Sequence, residues 1–361
     1  MKTRTQLIAS MLSITLLLSG CALETKQQEA ERLHGSHDAI GGASGNAAGI
    51  VNQPDAGKLT NVQFYVPSEK DNRVSVIDIP TGKVVGAIAV GEAPSTVLFS
   101  STMREAYVAN MNSSTVSFVN TQTLKVEKEV PVGPMPHGMV LSPDNKTLYV
   151  AAVADQFVYL VDTKEGKEAG TIDLGTGAKT NYMALFGDKL YISDHENAKV
   201  YVVNVKTKQV QLTIATGATP RAIKLSDDGK KLYVPSAGAG ALEVYDTADG
   251  KRLDSIAVAA GATDVIVADD GVTAYVTGME SGSVAIVDLA SGQTIQTLTG
   301  LAGARHLSFN RQQTKAYVTL SGAGEVAVID TASRQVVEQI QVGGTPHGIQ
   351  IKALPGTGGS C

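Results

Sequence analysis

The stretch Pro136-His137-Gly138-Met139-Val140-Leu141-Ser142-Pro143-Asp144-Asn145-Lys146-Thr147-Leu148-Tyr149-Val150 places two short apolar segments on either side of a turn. Ser142 to Lys146 supply the turn: Pro presets φ, and Asp and Asn side chains satisfy nearby backbone N–H groups. The flanks, 136–141 and 147–150, read as the first and second strands of one unit. Segments such as Val74-Ser75-Val76-Ile77-Asp78 and Val326-Ala327-Val328-Ile329-Asp330 set apolar residues two apart before a polar stop, which marks a third strand. Asp246-Thr247-Ala248-Asp249-Gly250-Lys251 then reverses the chain into a fourth strand over 253–258. A four-stranded blade of this kind cannot bury both faces alone and must stack on neighbours.

The unit recurs at a constant interval. Tyr65, Tyr107, Tyr149, Tyr191, Tyr233, Tyr275 and Tyr317 are each 42 residues apart. Thirteen residues after each Tyr stands Asp78, Asn120, Asp162, Asn204, Asp246, Asp288 or Asp330. Gly91, Gly133, Gly175, Gly217 and Gly343 hold another fixed position, with Ala259 and Leu301 in the two remaining copies. A period in the low forties with strands throughout indicates a propeller array. The fold class is all-β: a seven-bladed β-propeller of four-stranded antiparallel blades. Residues 61–354 span 294 positions, seven times 42. The first copy enters at its second strand, and an unmatched first strand remains over 346–351. The chain's end is therefore expected to supply the inner strand of the opening blade, which removes two free sheet edges.

The strings Tyr107-Val108-Ala109-Asn110, Tyr149-Val150-Ala151-Ala152 and Tyr275-Val276-Thr277-Gly278 resemble the YVTN-repeat β-propellers of bacterial envelopes and archaeal surface layers. So do the Val-x-Val-Ile-Asp segments and the Gly-x-x-Pro steps at Gly133–Pro136, Gly217–Pro220 and Gly343–Pro346. The resemblance covers all seven units but concerns structural residues, so it implies the fold and leaves the ligand open. No Trp is present, which argues against a WD40 propeller.

The remainder of the chain concerns address. The 361 residues have 37 Gly, 5% aromatic residues and a net charge of −5, with no long basic run, which excludes nucleic-acid binding through bulk charge. Lys2 and Arg4 precede an apolar run over 7–18, the layout of a secretion signal too short to cross a bilayer. Leu18-Ser19-Gly20-Cys21 resembles the bacterial lipoprotein cleavage box, which implies that residues 1–20 are removed and that Cys21 carries lipid. Several acyl chains on one Cys would anchor the chain firmly. Ala22 after the Cys implies the outer membrane in a two-membrane bacterium. Residues 21–60, rich in Gly, Ala, Asn and Gln, read as a tether, with His34 and His37 as a short pair within it. Residues 355–361 form a Gly-rich tail ending in Cys361, and acylation of Cys21 would leave that thiol unpaired.

Chemistry is expected at one mouth of the central channel. Directly after the Pro position stand Ser95, His137, Lys179, Arg221, Thr263, Arg305 and His347, with Asp264 and His306 one residue further in. Three cationic groups converging in an acidic protein suit a carboxylate, a phosphate or an acidic peptide; the same side chains could instead tie blades together through backbone carbonyls. Loops between second and third strands add Glu69, Asn110, Met111, Asp194, His195, Glu196, Met279 and Glu325 at the rim. Met111, Met135, His137 and His195 are candidates for a soft metal such as copper. The chain is thus expected to be a lipid-anchored, non-catalytic binding or scaffolding module of the cell envelope, requiring no cofactor, with an envelope protein or small anion as partner. The rival class is a propeller enzyme or cofactor protein using the His/Arg mouth. It could be lactonase-like, although propeller lactonases hold calcium with axial carboxylates where this ring is basic. It could instead resemble haem-d1 proteins, or bind copper.

Overall fold

The computed structural model describes residues 62–353, which form seven four-stranded antiparallel sheets. The signal segment, Cys21, the tether and the tail with Cys361 lie outside the described residues. Each sheet is a meander whose strands pair in chain order, with one exception. Blade 1 takes its inner strand from the chain's end: Gln350–Lys352 pairs antiparallel with Gln63–Ser68, and Pro346 bridges Ser68. The expected closure is therefore present. Blades 2 to 7 begin with inner strands at Pro94–Phe99, Pro136–Leu141, Thr180–Phe186, Lys224–Leu225, Ala262–Val267 and Ala304–Phe309.

The repeated residues hold the ring together. All seven repeat tyrosines are buried, and each belongs to an apolar cluster that joins its own blade to the next. Tyr107 of blade 2 packs with Met139 of blade 3, and Tyr275 of blade 6 with Leu307 of blade 7. Tyr317 of blade 7 packs with Phe64 and Ile349 of blade 1, which closes the circle. Burying an aromatic ring of this size is among the largest single contributions to a core. The Asp/Asn thirteen residues later caps the turn to the outer strand. Asp78 Oδ1 accepts bonds from Thr81 N and Oγ1, and Asn204 Oδ1 from the N–H groups of Lys206 and Thr207. Gly133 is required by contact: a Cβ there would lie 2.0 Å from the Tyr159 ring.

Candidate functional site

The inner strands carry the site because their ladders are interrupted. In blade 3, Pro136 pairs with Ala152 and Met139 with Val150, so His137 and Gly138 fall in a bulge. The same shift occurs between Pro94 and Val97, Thr180 and Met183, Ala262 and Val265, and Ala304 and Leu307. In blades 5 and 1 an isolated bridge at Pro220 or Pro346 precedes the shortened strand, with the same spare residue. A bulge frees two residues from strand alternation and redirects their side chains.

One blade departs from the 42-residue register. In blade 3 Leu141 pairs with Leu148, but in blade 4 it is Leu185 that pairs with Leu190, the residue 42 after Leu148. A two-residue turn, Gly187-Asp188, replaces the longer Ser142–Lys146 connection, and the saved length appears at the strand's start. The bulge residues of blade 4 are consequently Asn181 and Tyr182. Lys179, expected in the innermost ring from its spacing, stands outside the bulge and donates from Nζ to the Ala154 carbonyl (3.1 Å). Tyr182, absent from the candidates read off the sequence, enters the channel instead. The readable signal was the Gly-Asp dipeptide, a two-residue hairpin turn that shortens the connection.

The bulge residues assemble two buried chains of polar groups. In the first, His306 Nδ1 lies 2.9 Å from Asp264 Oδ2, and His306 Nε2 is hydrogen bonded to the Tyr182 hydroxyl. A carboxylate can only accept, so Nδ1 carries the proton and Nε2 accepts from the phenol. In the second, His137 and His347 face each other Nε2 to Nε2 at 3.0 Å. His347 Nδ1 lies 2.6 Å from Glu69 Oε1, a close contact without hydrogen-bond alignment, and the same oxygen accepts from Arg305 (2.7 Å). A proton on His347 Nδ1 leaves its Nε2 to accept from His137 Nε2–H, and His137 Nδ1 is then a bare, buried acceptor. Neither it nor Asn181 Oδ1 has a hydrogen-bond donor among the described residues. The chains touch: the His306 and His347 rings stack at 5.3 Å, and His137 meets Tyr182 edge-on at 4.6 Å.

Burial decides the charge of this cluster. It holds His137 and His347 well below the ordinary histidine value, with neighbouring cations adding to the effect. His306 is also lowered by burial, with Asp264 opposing. All three imidazoles are neutral at pH 7. Burial raises the Tyr182 phenol above its usual range, so it keeps its proton at rest. Arg305 is committed to Glu69. Arg221, half-buried, forms no ion pair among the described residues, and burial pulls its guanidinium below the ordinary value without discharging it.

The other candidates have structural partners or stand apart. Ser95 Oγ donates toward the carbonyls of Ala109 and Pro136, which ties blade 2 to blade 3, and Thr263 Oγ1 donates to Gly261 O. Asn110 Nδ2 bonds Thr115 and Ser117; Asp194 accepts from Lys179 N and Asn197. His195 is half-buried, its Nδ1 without an aligned hydrogen bond among the described residues, and Glu196 is exposed. Met111 is buried, and Met135 turns the chain into blade 3 with φ +54°. Among the described residues, no group of three or more His, Cys, Asp or Glu side chains is placed to hold a metal ion. A groove between the outer parts of blades 1 and 2 is lined by Arg73, whose guanidinium already bonds Asp71 and the Val342 carbonyl.

A family model described as a YNCE-like beta-propeller matches residues 47–354. Among solved structures, the periplasmic gluconolactonase PpgL of Pseudomonas aeruginosa superposes with a TM-score of 0.70 at 19% identity, covering 81% of this chain and 100% of that one. Hydrazine synthase of Kuenenia stuttgartiensis gives 0.69 at 19% identity over 74% and 92% of the two chains. The dihydro-heme d1 dehydrogenase NirN, solved in complex with DHE, gives 0.61 at 16% identity over 81% and 75%. At these identities the likeness concerns the fold. No curated protein matches the sequence.

Proposed function

The chain belongs to the YNCE-like β-propeller family, and we propose that it is an exported, lipid-anchored module that binds a small anion at the channel mouth. The observation that carries this is Arg221: a half-buried cation with no ion pair among the described residues, beside a floor of neutral imidazoles. An arginine held partly out of water, with Glu280 acting on it only beyond ion-pair distance, is stabilised by any carboxylate or phosphate that can reach it. Arg305, already neutralised by Glu69, shapes the mouth and adds little net charge. The anchor rests on the residues before and including Cys21; replacing Cys21 by Ser should move the chain from the membrane to the soluble fraction.

The test is calorimetric titration of the full chain in detergent with succinate, citrate and inorganic phosphate, each at low and moderate salt. At least one should bind, and Arg221→Ala should weaken that binding by roughly tenfold to a hundredfold, the range for a charge-assisted hydrogen bond. Binding that is unchanged in Arg221→Ala would place the site elsewhere.

A further inference from the structure

The geometry points to Tyr182 as a nucleophile activated through His306 by Asp264, acting on a small ester whose acid part carries a second, anionic group; this rests on Arg221 holding that group. Three features set Tyr182 apart from the repeat tyrosines. It sits in a bulge rather than a ladder, its residue is half-buried where they are buried, and its hydroxyl is aimed at a neutral imidazole. Behind that imidazole stands a carboxylate at 2.9 Å that itself accepts from the backbone N–H of Val265 (2.8 Å) and is buried. Oxygen nucleophile, base and orienting acid in hydrogen-bonded sequence are the roles by which a relay is recognised, whatever residue supplies the oxygen. The register slip of blade 4 is what brings the phenol to His306 from three blades away.

The chemistry balances without a further reagent. Tyr182 Oη attacks the ester carbonyl carbon as its proton passes to His306 Nε2, and Asp264 stabilises the imidazolium through Nδ1–H. The tetrahedral intermediate collapses, the bond to the alcohol oxygen breaks, and that alkoxide takes the proton from His306. Water then attacks the tyrosyl ester, giving a proton to His306. The acyl–Oη bond breaks, the phenolate recovers that proton, and the acid leaves. Burial keeps the phenol protonated at rest, so the oxygen becomes nucleophilic only as the proton moves. Arg221 and Arg305 both act electrostatically on the phenol, in the direction that favours the anion. Asp264 does not meet substrate and is a positioning residue.

Two probes separate the relay from anion binding. The full chain is treated with 4-(fluorosulfonyl)benzoate, which is anionic, and with phenylmethanesulfonyl fluoride, which is neutral, and adducts are located by mass spectrometry. An adduct forms when the Oη–S bond replaces S–F, fluoride leaves and the proton goes to His306. Both probes should label Tyr182, with rates that rise with pH as His306 becomes neutral. His306→Gln should slow both by about a hundredfold, the usual scale of general-base assistance, and abolish the pH dependence. Asp264→Asn, nearly isosteric, should slow both and shift the pH profile. Arg221→Ala should slow the anionic probe far more than the neutral one, which loses only the electrostatic help to the phenol. No adduct on Tyr182, or an equal rate and pH profile in His306→Gln and Asp264→Asn, overturns the relay. Relay dependence with both probes equally affected by Arg221→Ala overturns the anion site and leaves the relay standing. For the ester itself, 4-nitrophenol release from mono-(4-nitrophenyl) glutarate should be lost in Tyr182→Phe; equal release in that variant overturns the ester assignment.

Discussion

The seven interfaces between blades and the channel they enclose are made by the same repeat, yet they are built in opposite ways. Each interface carries one tyrosine at one register position, surrounded by Val, Ile, Leu and Ala. In the channel, the seven equivalent bulge positions carry six different residue pairs, with only His-Gly used twice, and buried polar groups there form asymmetric chains. Repetition serves the interface because every pair of neighbouring blades meets the same geometry. The channel has no such constraint, since each bulge side chain faces different partners across the axis. Function is therefore to be sought where the repeat is broken.

The comparison can be tested at three strengths. The largest effect is expected in the repeated layer. Tyr191→Ala, at the interface between blades 4 and 5, should cost about 3–5 kcal/mol, the range for deleting a buried aromatic side chain. Urea unfolding would measure it, and a loss below 1 kcal/mol would mean that the interfaces do not carry the stability. The channel should respond next, to acid. His137, His306 and His347 have folded values lowered by burial, so the unfolded chain binds more protons once pH falls below about 6.5, the unperturbed histidine value. Stability is then fully present above that pH and is lost as pH falls toward the folded values, by up to about 1.4 kcal/mol per pH unit for each histidine. Thermal melts from pH 7.5 to 5 should show this slope. His137→Gln should reduce it, and an unchanged slope in that variant would mean that this imidazole is not held neutral. The smallest effect belongs to the repeated layer again. Tyr65 Oη is buried with no partner among the described residues, so Tyr65→Phe should raise stability by about 1 kcal/mol. A loss of that size would reveal an unrecognised bond and blur the contrast between the two layers.

Much of this architecture is legible in the sequence. The tyrosine spacing located every blade interface, the Asp/Asn positions located the outer turns, and the spare strand at the end foretold the closure of blade 1 through Gln350–Lys352. The bulge residues were legible as a ring, and His137, Arg305 and His347 do meet there with Glu69 from the rim. Lys179 was read into that ring and stands outside it, and Tyr182, not read into it, stands inside. A period in sequence reports equal chain length per blade, and blade 4 keeps that length while moving two residues from a turn to the segment that leads into its inner strand. The tautomers were equally hidden, since they depend on which acceptor each ring nitrogen meets across the axis.

The sequence by itself determined the blade count, the strand order and the packing residues, because those depend on contacts that recur at one interval along the chain. Only the tertiary structure decided which polar groups meet: Asp264, His306 and Tyr182 come from three blades, and a two-residue slip in one hairpin selects the third. A ring brings residues together across its axis by radius and register, and neither quantity is written in local spacing.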